Sequence, residues 1–315
     1  MKRRLTALLL TVLAACSSHR HDDIELRAAA RERLAARLEA RIAQARAALP
    51  DSIDDFVVAL DLVDLATQRR LSLNENVVVH AASTMKVPVL YELYRQADAG
   101  ELSLDDSIPV VNRFTSIHDG SAYSLTAEDD SDSTLYARVG GRATYRELAR
   151  RMIVRSSNLA TNILIERVDA RRVRDTLARL NAQGMVVRRG VEDIPAYRAG
   201  LNNTTTAYGF ARVLEAIARC ELLSARSCGE IVAILADQEF DDGIPAGVPA
   251  GTRVANKTGW ITAIQHDGAI VFPDGRAPYV LVVLTRGFPD GAAAEALIAD
   301  LSRIVWEEVV AGGGP

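Results

Sequence analysis

Lysine is almost absent from this 315-residue chain: Lys2, Lys86 and Lys257 are the only lysines among 37 basic residues, and the rest are arginine. Aromatic residues make up 5% of the chain, and cysteine occurs three times. An ordinary balance of 49% hydrophobic and 25% charged residues excludes disordered, collagen-like and coiled-coil proteins. A net charge of −4 leaves no broad basic surface, so no nucleic-acid partner is expected.

Several common catalytic motifs are also missing. The five histidines are scattered and form no metal-binding spacing, and there is no G-x-S-x-G elbow or glycine-rich phosphate loop after a strand. These absences disfavour zinc, Ser-His-Asp and nucleotide chemistry, and no metal or organic cofactor is expected. A nucleophilic site without histidine needs another base, for which lysine is the usual substitute.

The N-terminal segment 1–15, MKRRLTALLLTVLAA, joins a basic start to an apolar run too short to span a bilayer. Its end, L-A-A followed by Cys16, resembles the lipobox of bacterial lipoproteins. That resemblance implies cleavage before Cys16, a lipid on Cys16 and a periplasmic protein tethered to a membrane, with Ser17 favouring the outer membrane. The alternative is an ordinary secretory signal. No later apolar run approaches 18 residues, so no second span is expected.

Strand patterns near both ends of the remaining chain, with helical patterns between them, predict one subdomain built from both termini and a helical insertion. Segment 112–135 is polar and turn-rich, with an acidic cluster at 128–132. The assigned ranges are 16–50 for a tether and helix, 51–82 and 208–315 for an α/β subdomain, and 83–207 for a helical subdomain with an irregular loop at 187–203. Helical patterns inside the insertion lie at 143–154, 157–168 and 171–182.

Three apolar runs near the C-terminus predict strands at 253–264, 267–272 and 278–285. His-Asp-Gly at 266–268 and Pro-Asp-Gly at 273–275 predict the turns between them. Further upstream, Cys220 and Cys228 could close a small disulfide loop in an oxidising compartment or remain as two buried thiols. Both alternatives give these cysteines a structural role.

Lys86 and Lys257 each lie in a recognisable motif. Ser83 to Lys86 reads S-x-x-K at a predicted helix start, Lys257 to Gly259 reads K-T-G on a predicted strand, and Ser156 to Asn158 reads S-x-N between them. This order resembles the class A β-lactamases and the wider penicillin-recognising serine hydrolases. The resemblance implies an α/β (α+β) fold of the β-lactamase/transpeptidase type, with an antiparallel sheet flanked by helices and an all-helical subdomain.

In S-x-x-K, one helical turn brings the Ser83 hydroxyl and the Lys86 amine onto the same face. A serine at a helix N-terminus also has backbone N–H groups beside the developing oxyanion. Lys86 can act as a base only if burial or nearby cations lower its pKa. Taken alone, the motif equally fits a serine N-cap followed by a surface lysine.

The resemblance also implies roles for the S-x-N segment. Ser156 would relay a proton to the leaving nitrogen, and Asn158 would hold a substrate carbonyl and orient Lys86. Asn162, another candidate for substrate binding, could brace the loop that follows. The family often has Asp where this chain has Ser157, and the segment by itself also fits a pair of helix N-cap residues.

In K-T-G, the resemblance implies that Lys257 and Thr258 bind the substrate carboxylate. Gly259 would let the ligand approach the backbone closely. Trp260 would donate its backbone N–H to the oxyanion alongside that of Ser83. Many family members have a small residue at this position, so Trp260 would narrow the cleft. The alternative is an exposed strand lysine before a Thr-Gly turn.

The resemblance makes Glu192, 36 residues after Ser156, the candidate base for the water that frees the acyl-enzyme. A positioned general base contributes about 10²–10⁴ in rate. The family usually has Asn four residues later, where this chain has Ala196, and Asn202 or Asn203 could replace that amide. Other readings give the base role to Asp193 or pair Glu192 with an arginine, either Arg188 or Arg189.

These features predict a lipid-anchored, monomeric serine hydrolase that opens β-lactam rings through a Ser83 acyl-enzyme. Either Lys86 or Glu192, acting through a water, would be the base for acylation. Its substrate would be a β-lactam or a molecule resembling the peptidoglycan stem. Two alternatives remain open at the level of sequence. One is a D-alanyl-D-alanine peptidase or another amide or ester hydrolase of the same fold, and the other is a non-catalytic lipoprotein that binds the cell wall.

Overall fold

A central antiparallel sheet organises the computed structural model, which describes residues 28–311. The signal segment 1–15 and the lipidation candidate Cys16 lie outside the described residues. The sheet has the strand order β2-β1-β11-β10-β9. The strands are β1 (Val57–Asp64), β2 (Arg70–Leu73), β3 (Val79–His80), β4 (Ser107–Pro109), β5 (Phe114–Thr115), β6 (Ala122–Tyr123), β7 (Arg142–Thr144), β8 (Thr204–Thr205), β9 (Arg253–Ile261), β10 (Ile264–Phe272) and β11 (Tyr279–Arg286).

Helices cover both faces of this sheet. They are α1 (28–47), α2 (Lys86–Asp98), α3 (Tyr145–Val154), α4 (Asn158–Val168), α5 (Ala170–Arg179), α6 (Ile194–Arg198), α7 (Ala207–Arg219), α8 (Ala225–Ala236) and α9 (Gly291–Trp306). The three helices predicted between 143 and 182 are confirmed as α3, α4 and α5. Among the described residues, no helix has the length and apolar character needed to cross a bilayer.

The core forms on both sides of the sheet because side chains alternate along each strand. On β11, Leu281 and Val283 pack with α1 and α9, and Val280 and Val282 pack with the helices of the opposite face. The S-x-x-K and S-x-N segments lie in the helical layer on that opposite face. The predicted fold class, an antiparallel sheet flanked by helices with an additional helical part, is therefore confirmed.

The turn predicted at 266–268 is wrong, because these residues lie inside β10. The chain reverses before them, between β9 and β10, around Ala263. The Asp267 carboxylate is fully buried and accepts hydrogen bonds from a backbone N–H and from a neighbouring asparagine. Gly268 faces an aromatic ring, and a Cβ there would lie 2.3 Å from Cε1 of Phe210. Tertiary packing thus uses polar and small residues that usually mark a turn.

Helix α7 begins and ends at residues with defined roles. Thr206 caps its N-terminus by accepting a hydrogen bond from the backbone N–H of Gly209 at 2.9 Å. Its C-terminus ends at Cys220 in the left-handed conformation, and Cys220 is joined to Cys228 of α8 with Cα atoms 5.6 Å apart. Of the two sequence alternatives, the structure has the disulfide, and its Cα separation is normal for one.

Candidate active site

A cleft of about 690 Å³ lies where the helical layer meets the end of the sheet. Its lining includes Ser83, Ser156, Asn158, Glu192 and Trp260. These residues come from four separate parts of the sequence, and the fold brings them to one opening. The K-T-G residues before Trp260 lie deeper.

Ser83 lies on a short 3₁₀ turn, Ala82–Met85, that links β3 to α2. The turn is entered through Ala82 in the left-handed conformation, with φ of 46°, and continues directly into the helix at Lys86. Ser83 is half-buried while its neighbours Ala82 and Thr84 are buried. Among these three residues, Ser83 therefore has the side chain that is most accessible from the cleft.

Lys86 is fully buried one turn further along. Its Nζ donates to the backbone oxygen of Ser156 at 2.5 Å and to Oδ1 of Asn158 at 2.9 Å, and lies 3.1 Å from Oγ of Ser156. Burial lowers the pKa of Lys86 to about 7, and the negative charge of Asp130 offsets part of that effect. An amine with this pKa can accept a proton near neutral pH.

The S-x-N segment combines a structural role with a site role. Ser156 is buried and has left-handed backbone geometry, with φ of 54°. Ser157 caps α4 by accepting a hydrogen bond from the backbone N–H of Ala160 at 3.2 Å. The N-cap interpretation therefore applies to Ser157, and Ser156 and Asn158 on either side of it contact Lys86.

Gly259 places strand β9 against the Ser83 turn. A Cβ on Gly259 would lie 2.8 Å from the backbone nitrogen of Ser83 and 2.9 Å from that of Thr84. Real Cβ atoms essentially never approach other atoms so closely, so this contact requires glycine. The backbone of K-T-G thus lies beside the N–H group of the candidate nucleophile.

Lys257 and Thr258 are more deeply placed than the sequence suggested. Lys257 is fully buried, and its Nζ donates to the backbone oxygen of Thr258 at 2.8 Å. Burial and the charge of Lys86 lower the pKa of Lys257 well below its usual value, so the two amines are electrostatically coupled. Thr258 lines an adjoining cavity of about 220 Å³. Its buried Oγ1 has no hydrogen-bond partner within residues 28–311.

Trp260 forms the wall between these two cavities and lines both of them. Its side chain is 40% exposed and packs edge-on against Phe240, with ring centroids 4.8 Å apart. The bulky ring therefore borders the cleft on the β9 side.

Asn162 fastens the loop 187–203 to helix α4. Its Oδ1 accepts from the backbone N–H of Val191 at 2.7 Å, and its Nδ2 donates to the backbone oxygen of Val191 at 2.9 Å. The side chain is 1% exposed. Because both ends of the amide are used by the loop, Asn162 braces Val191 and does not itself present a group to the cleft.

Glu192 follows this brace directly. It is exposed, its backbone has φ of 60°, and its carboxylate makes no hydrogen bond or ion pair within the described part of the chain. The alternative pairing of Glu192 with Arg188 or Arg189 is therefore not formed. The carboxylate is free to contact water in the cleft.

The other candidates on this loop have structural partners. Asp193 is fully buried and accepts from the backbone N–H groups of Ile117 at 3.0 Å and Ala196 at 3.1 Å. The Asn203 amide bonds the backbone at the start of the loop, and Asn202 accepts from an arginine side chain at 3.3 Å. Both ends of the Asn203 amide are thus occupied, whereas Asn202 uses only its Oδ1 within the described residues, and Asp193 caps α6 rather than facing the cleft.

Sequence reasoning missed two residues near the nucleophile. His80 lines the cleft, and burial together with the charge of Arg189 lowers its pKa to about 4, so its ring is neutral and accepts from the Ala82 N–H at 3.1 Å. Asp130 is buried beside Asn158. Only the acidic cluster at 128–132 hinted at it. No group of three or more His, Cys, Asp or Glu side chains in 28–311 could hold a metal ion.

Comparison with known proteins agrees with this geometry. The family model for the β-lactamase enzyme family matches residues 40–309. A β-lactamase of Streptomyces fradiae is 27% identical over 181 residues, covering 54% of this chain and 57% of that protein. A β-lactamase of Rhodobacter capsulatus is 28% identical over 234 residues, covering 71% of this chain and 73% of that protein.

A solved β-lactamase structure from Sphaerobacter thermophilus DSM 20745 has 26% identity and a TM-score of 0.72. The match covers 88% of this chain and 98% of the Sphaerobacter chain. The fold described above is thus similar to that of a solved β-lactamase structure. The family match extends over most of the sequence, and the chain belongs to the β-lactamase enzyme family.

Proposed function

We propose that this protein hydrolyses β-lactams through an acyl-enzyme on Ser83, which is freed by water activated by Glu192. One observation carries the proposal: a fully buried Lys86 with a pKa of about 7 contacts Ser156 and Asn158 one turn after a serine that opens on the cleft. A buried lysine that loses its proton near neutral pH can act as a general base.

In the acylation step, the neutral amine of Lys86 accepts the Ser83 proton as the hydroxyl attacks the lactam carbonyl. The backbone N–H groups of Ser83 and Trp260 bind the developing oxyanion. Ser156 then passes a proton to the ring nitrogen as the C–N bond breaks. The contact of Lys86 with Ser156 supports this route, because it gives the proton a hydrogen-bonded path from base to leaving group.

In the deacylation step, Glu192 removes a proton from a water that attacks the ester carbonyl. The ester C–O bond breaks, the proton held by Glu192 passes to the departing Ser83 oxygen and restores both groups, and the opened acid leaves. The carboxylate supports this role because it lines the cleft and has no competing partner among the described residues. A missing base would leave the acyl-enzyme as a long-lived species.

The test is intact-mass spectrometry of the protein during a penicillin chase. In the chase, wild type should carry a short-lived adduct with the mass of one penicillin. In a separate assay, it should turn over a chromogenic cephalosporin. Glu192→Gln should still acylate and should retain the adduct about 10²-fold longer, because only the second step loses its base. The matched control is Glu128→Gln, an exposed glutamate on the same cleft, which should behave as wild type.

Equal adduct lifetimes in Glu192→Gln and wild type would remove Glu192 from the mechanism. A wild-type adduct that persists for hours without cephalosporin turnover would favour the D-alanyl-D-alanine peptidase alternative, for which the buried Ala196 in place of an asparagine is the specific observation. Failure of penicillin to label Ser83 would favour the non-catalytic alternative.

We also propose that the enzyme is held at a bacterial membrane in the periplasm through a lipid on Cys16, with the outer membrane favoured. The support is the basic, apolar and L-A-A-C pattern at the N-terminus. Wild type expressed in a Gram-negative host should partition with the membrane fraction, and Cys16→Ser should not carry the lipid. A wild-type protein recovered entirely in the periplasmic fluid would contradict the tether.

A further inference from the structure

Ser156 is held in an uncommon backbone conformation by a distant loop. Its φ of 54° lies in the left-handed region, which residues with a Cβ rarely adopt without support. The Ser131 hydroxyl supports it by lying 2.6 Å from the backbone oxygen of Arg155 and 3.2 Å from that of Ser156. The loop thus contacts the peptide groups on either side of the left-handed residue.

Asp130, the preceding residue of the same loop, holds the other end of this turn. Its Oδ1 accepts from the backbone N–H of Asn158 at 3.0 Å, and its Oδ2 accepts from that of Leu159 at 2.8 Å. The hydroxyl of Tyr136 donates to Oδ2 at 3.0 Å, and the side chain is 8% exposed. A carboxylate at the first N–H groups of α4 is also favoured by the helix dipole.

The loop that carries these two residues is itself anchored. Asp132 is buried and receives a hydrogen-bonded ion pair from Arg151 of α3 at 2.8 Å. The N–H of Asp132 also donates to Oδ1 of Asp130 at 3.0 Å. Asp130 therefore belongs to a fixed segment rather than to a flexible rim of the cleft.

We propose that Asp130 and Ser131 form a clamp that positions Ser156 and Asn158 for acylation, and that Asp130 also acts on Lys86 through Asn158, whose backbone N–H binds Asp130 and whose Oδ1 accepts from the Lys86 amine. The proposal rests on the proposed acylation of Ser83. Neither clamp residue touches the reacting atoms, so both are positioning residues. The clamp also accounts for Ser157. Family members often have an aspartate at this position, and in this chain the neighbouring carboxylate is that of Asp130, from another loop.

The charges that face Lys86 come from three elements. Asp130 of the loop favours the protonated form of Lys86, the Lys86 charge in turn lowers the pKa of Lys257 on β9, and Glu192 lines the same cleft from the loop 187–203. Removing the Asp130 charge therefore lowers the pKa of Lys86 further. Because an opposite charge in close range shifts a pKa by about one unit or more, the change is measurable.

Lysine-selective labelling measures this shift directly, because the chain has only three lysines. Protein with ¹³C-labelled lysine is titrated by NMR, and the Lys86 signal is assigned by its loss in Lys86→Arg. Asp130→Asn should lower the Lys86 midpoint by about one pH unit. Asp129→Asn is the matched control, because it removes one charge from an exposed neighbour of Asp130. Within residues 28–311, the Asp129 side chain bonds only to Thr126, so this variant should leave the midpoint unchanged.

The positioning role is tested by the rate of labelling with a fluorescent penicillin. Ser131→Ala should slow acylation about tenfold with an unshifted pH profile, because it loosens the Ser156 turn without changing charge. Asp130→Asn should slow acylation by at least as much and should move the acidic limb of the pH profile down by the shift that NMR measures. Circular dichroism and thermal melting confirm that each variant is folded.

The clamp is overturned if Asp130→Asn and Asp129→Asn give the same Lys86 midpoint, or if Asp130→Asn and Ser131→Ala acylate as fast as wild type. These results are distinct from failure of the proposed function. If penicillin never labels wild type, the acylation mechanism is lost, and an unshifted NMR midpoint in Asp130→Asn is then still sufficient to reject the clamp.

Discussion

On the side of the cleft formed by α2 and α4, Lys86 and Ser156 are buried, and the Lys86 amine is hydrogen-bonded to its neighbours. Lys86 contacts Ser156 and Asn158, and this arrangement is supported from behind by Asp130. On the side formed by the loop 187–203, the corresponding group is exposed. Glu192 has left-handed backbone geometry, and its carboxylate has no partner in 28–311.

The difference follows from what each side must do. A base that acts on a fixed hydroxyl benefits from burial, because burial sets both its position and its pKa. A base that acts on a mobile water has no protein atom to bond until the water arrives. Here the loop replaces the usual second water ligand with the buried Ala196. In the proposed mechanism, acylation on the Lys86 side is therefore the faster step, and deacylation on the Glu192 side is the slower one.

The largest expected effect is on the acylation rate, when Lys86 is replaced. Lys86→Met removes the proposed acylation base and keeps a side chain of similar length. Acylation by penicillin should slow about 10³-fold, because general-base assistance is lost. Stopped-flow measurement of fluorescent-penicillin labelling checks this rate. Acylation within a few-fold of wild type would show that Ser83 uses another base.

A smaller effect is expected on the deacylation rate, when the contact between Asn162 and the loop 187–203 is removed. Asn162→Ala removes the two hydrogen bonds to Val191 and should slow deacylation about tenfold, because Glu192 is then less well placed. Acylation should change little. Single-turnover mass spectrometry separates the two steps. A variant that loses acylation and keeps deacylation would mean that Asn162 serves the Lys86 side instead.

The smallest effect concerns stability. Lys86 has a pKa of about 7 in the folded protein and about 10.5 in the unfolded chain, so the unfolded chain binds the proton more readily between these values. The free energy of unfolding should therefore rise with pH from 7 to 9, and Lys257, whose pKa is also lowered, acts in the same direction. The melting temperature should increase by about 5 °C, and less in Lys86→Met.

That stability prediction is checked by differential scanning calorimetry at several pH values. A melting temperature that falls between pH 7 and 9 in wild type would contradict the burial of a neutral Lys86. An equal rise in wild type and in Lys86→Met would assign the effect to other groups.

The sequence predicted the parts of the site that depend on short-range order. S-x-x-K identified Ser83 and Lys86 because one helical turn relates them, and S-x-N and K-T-G added residues that the structure brings to the same region. Family membership and fold class followed from the same motifs and are confirmed.

The parts that could not be predicted depend on contacts between distant segments. Asp130 reaches Asn158 across 28 residues, and nothing near it in the sequence distinguishes it from the other acids of its cluster. The turn placed at 266–268 failed because a buried Asp267 and a tightly packed Gly268 imitate a turn signal. Local patterns report on local structure, and these residues are explained by packing.

Stopped-flow absorbance of wild type mixed with excess chromogenic cephalosporin tests the central contrast most directly. If acylation on the Lys86 side is fast and deacylation on the Glu192 side limits turnover, the absorbance trace should start with a burst of about one ring-opened molecule per enzyme. It should then settle to a slower steady rate. A trace that is linear from the first turnover, with no accumulated acyl-enzyme, would mean that acylation is the slow step and would contradict the account.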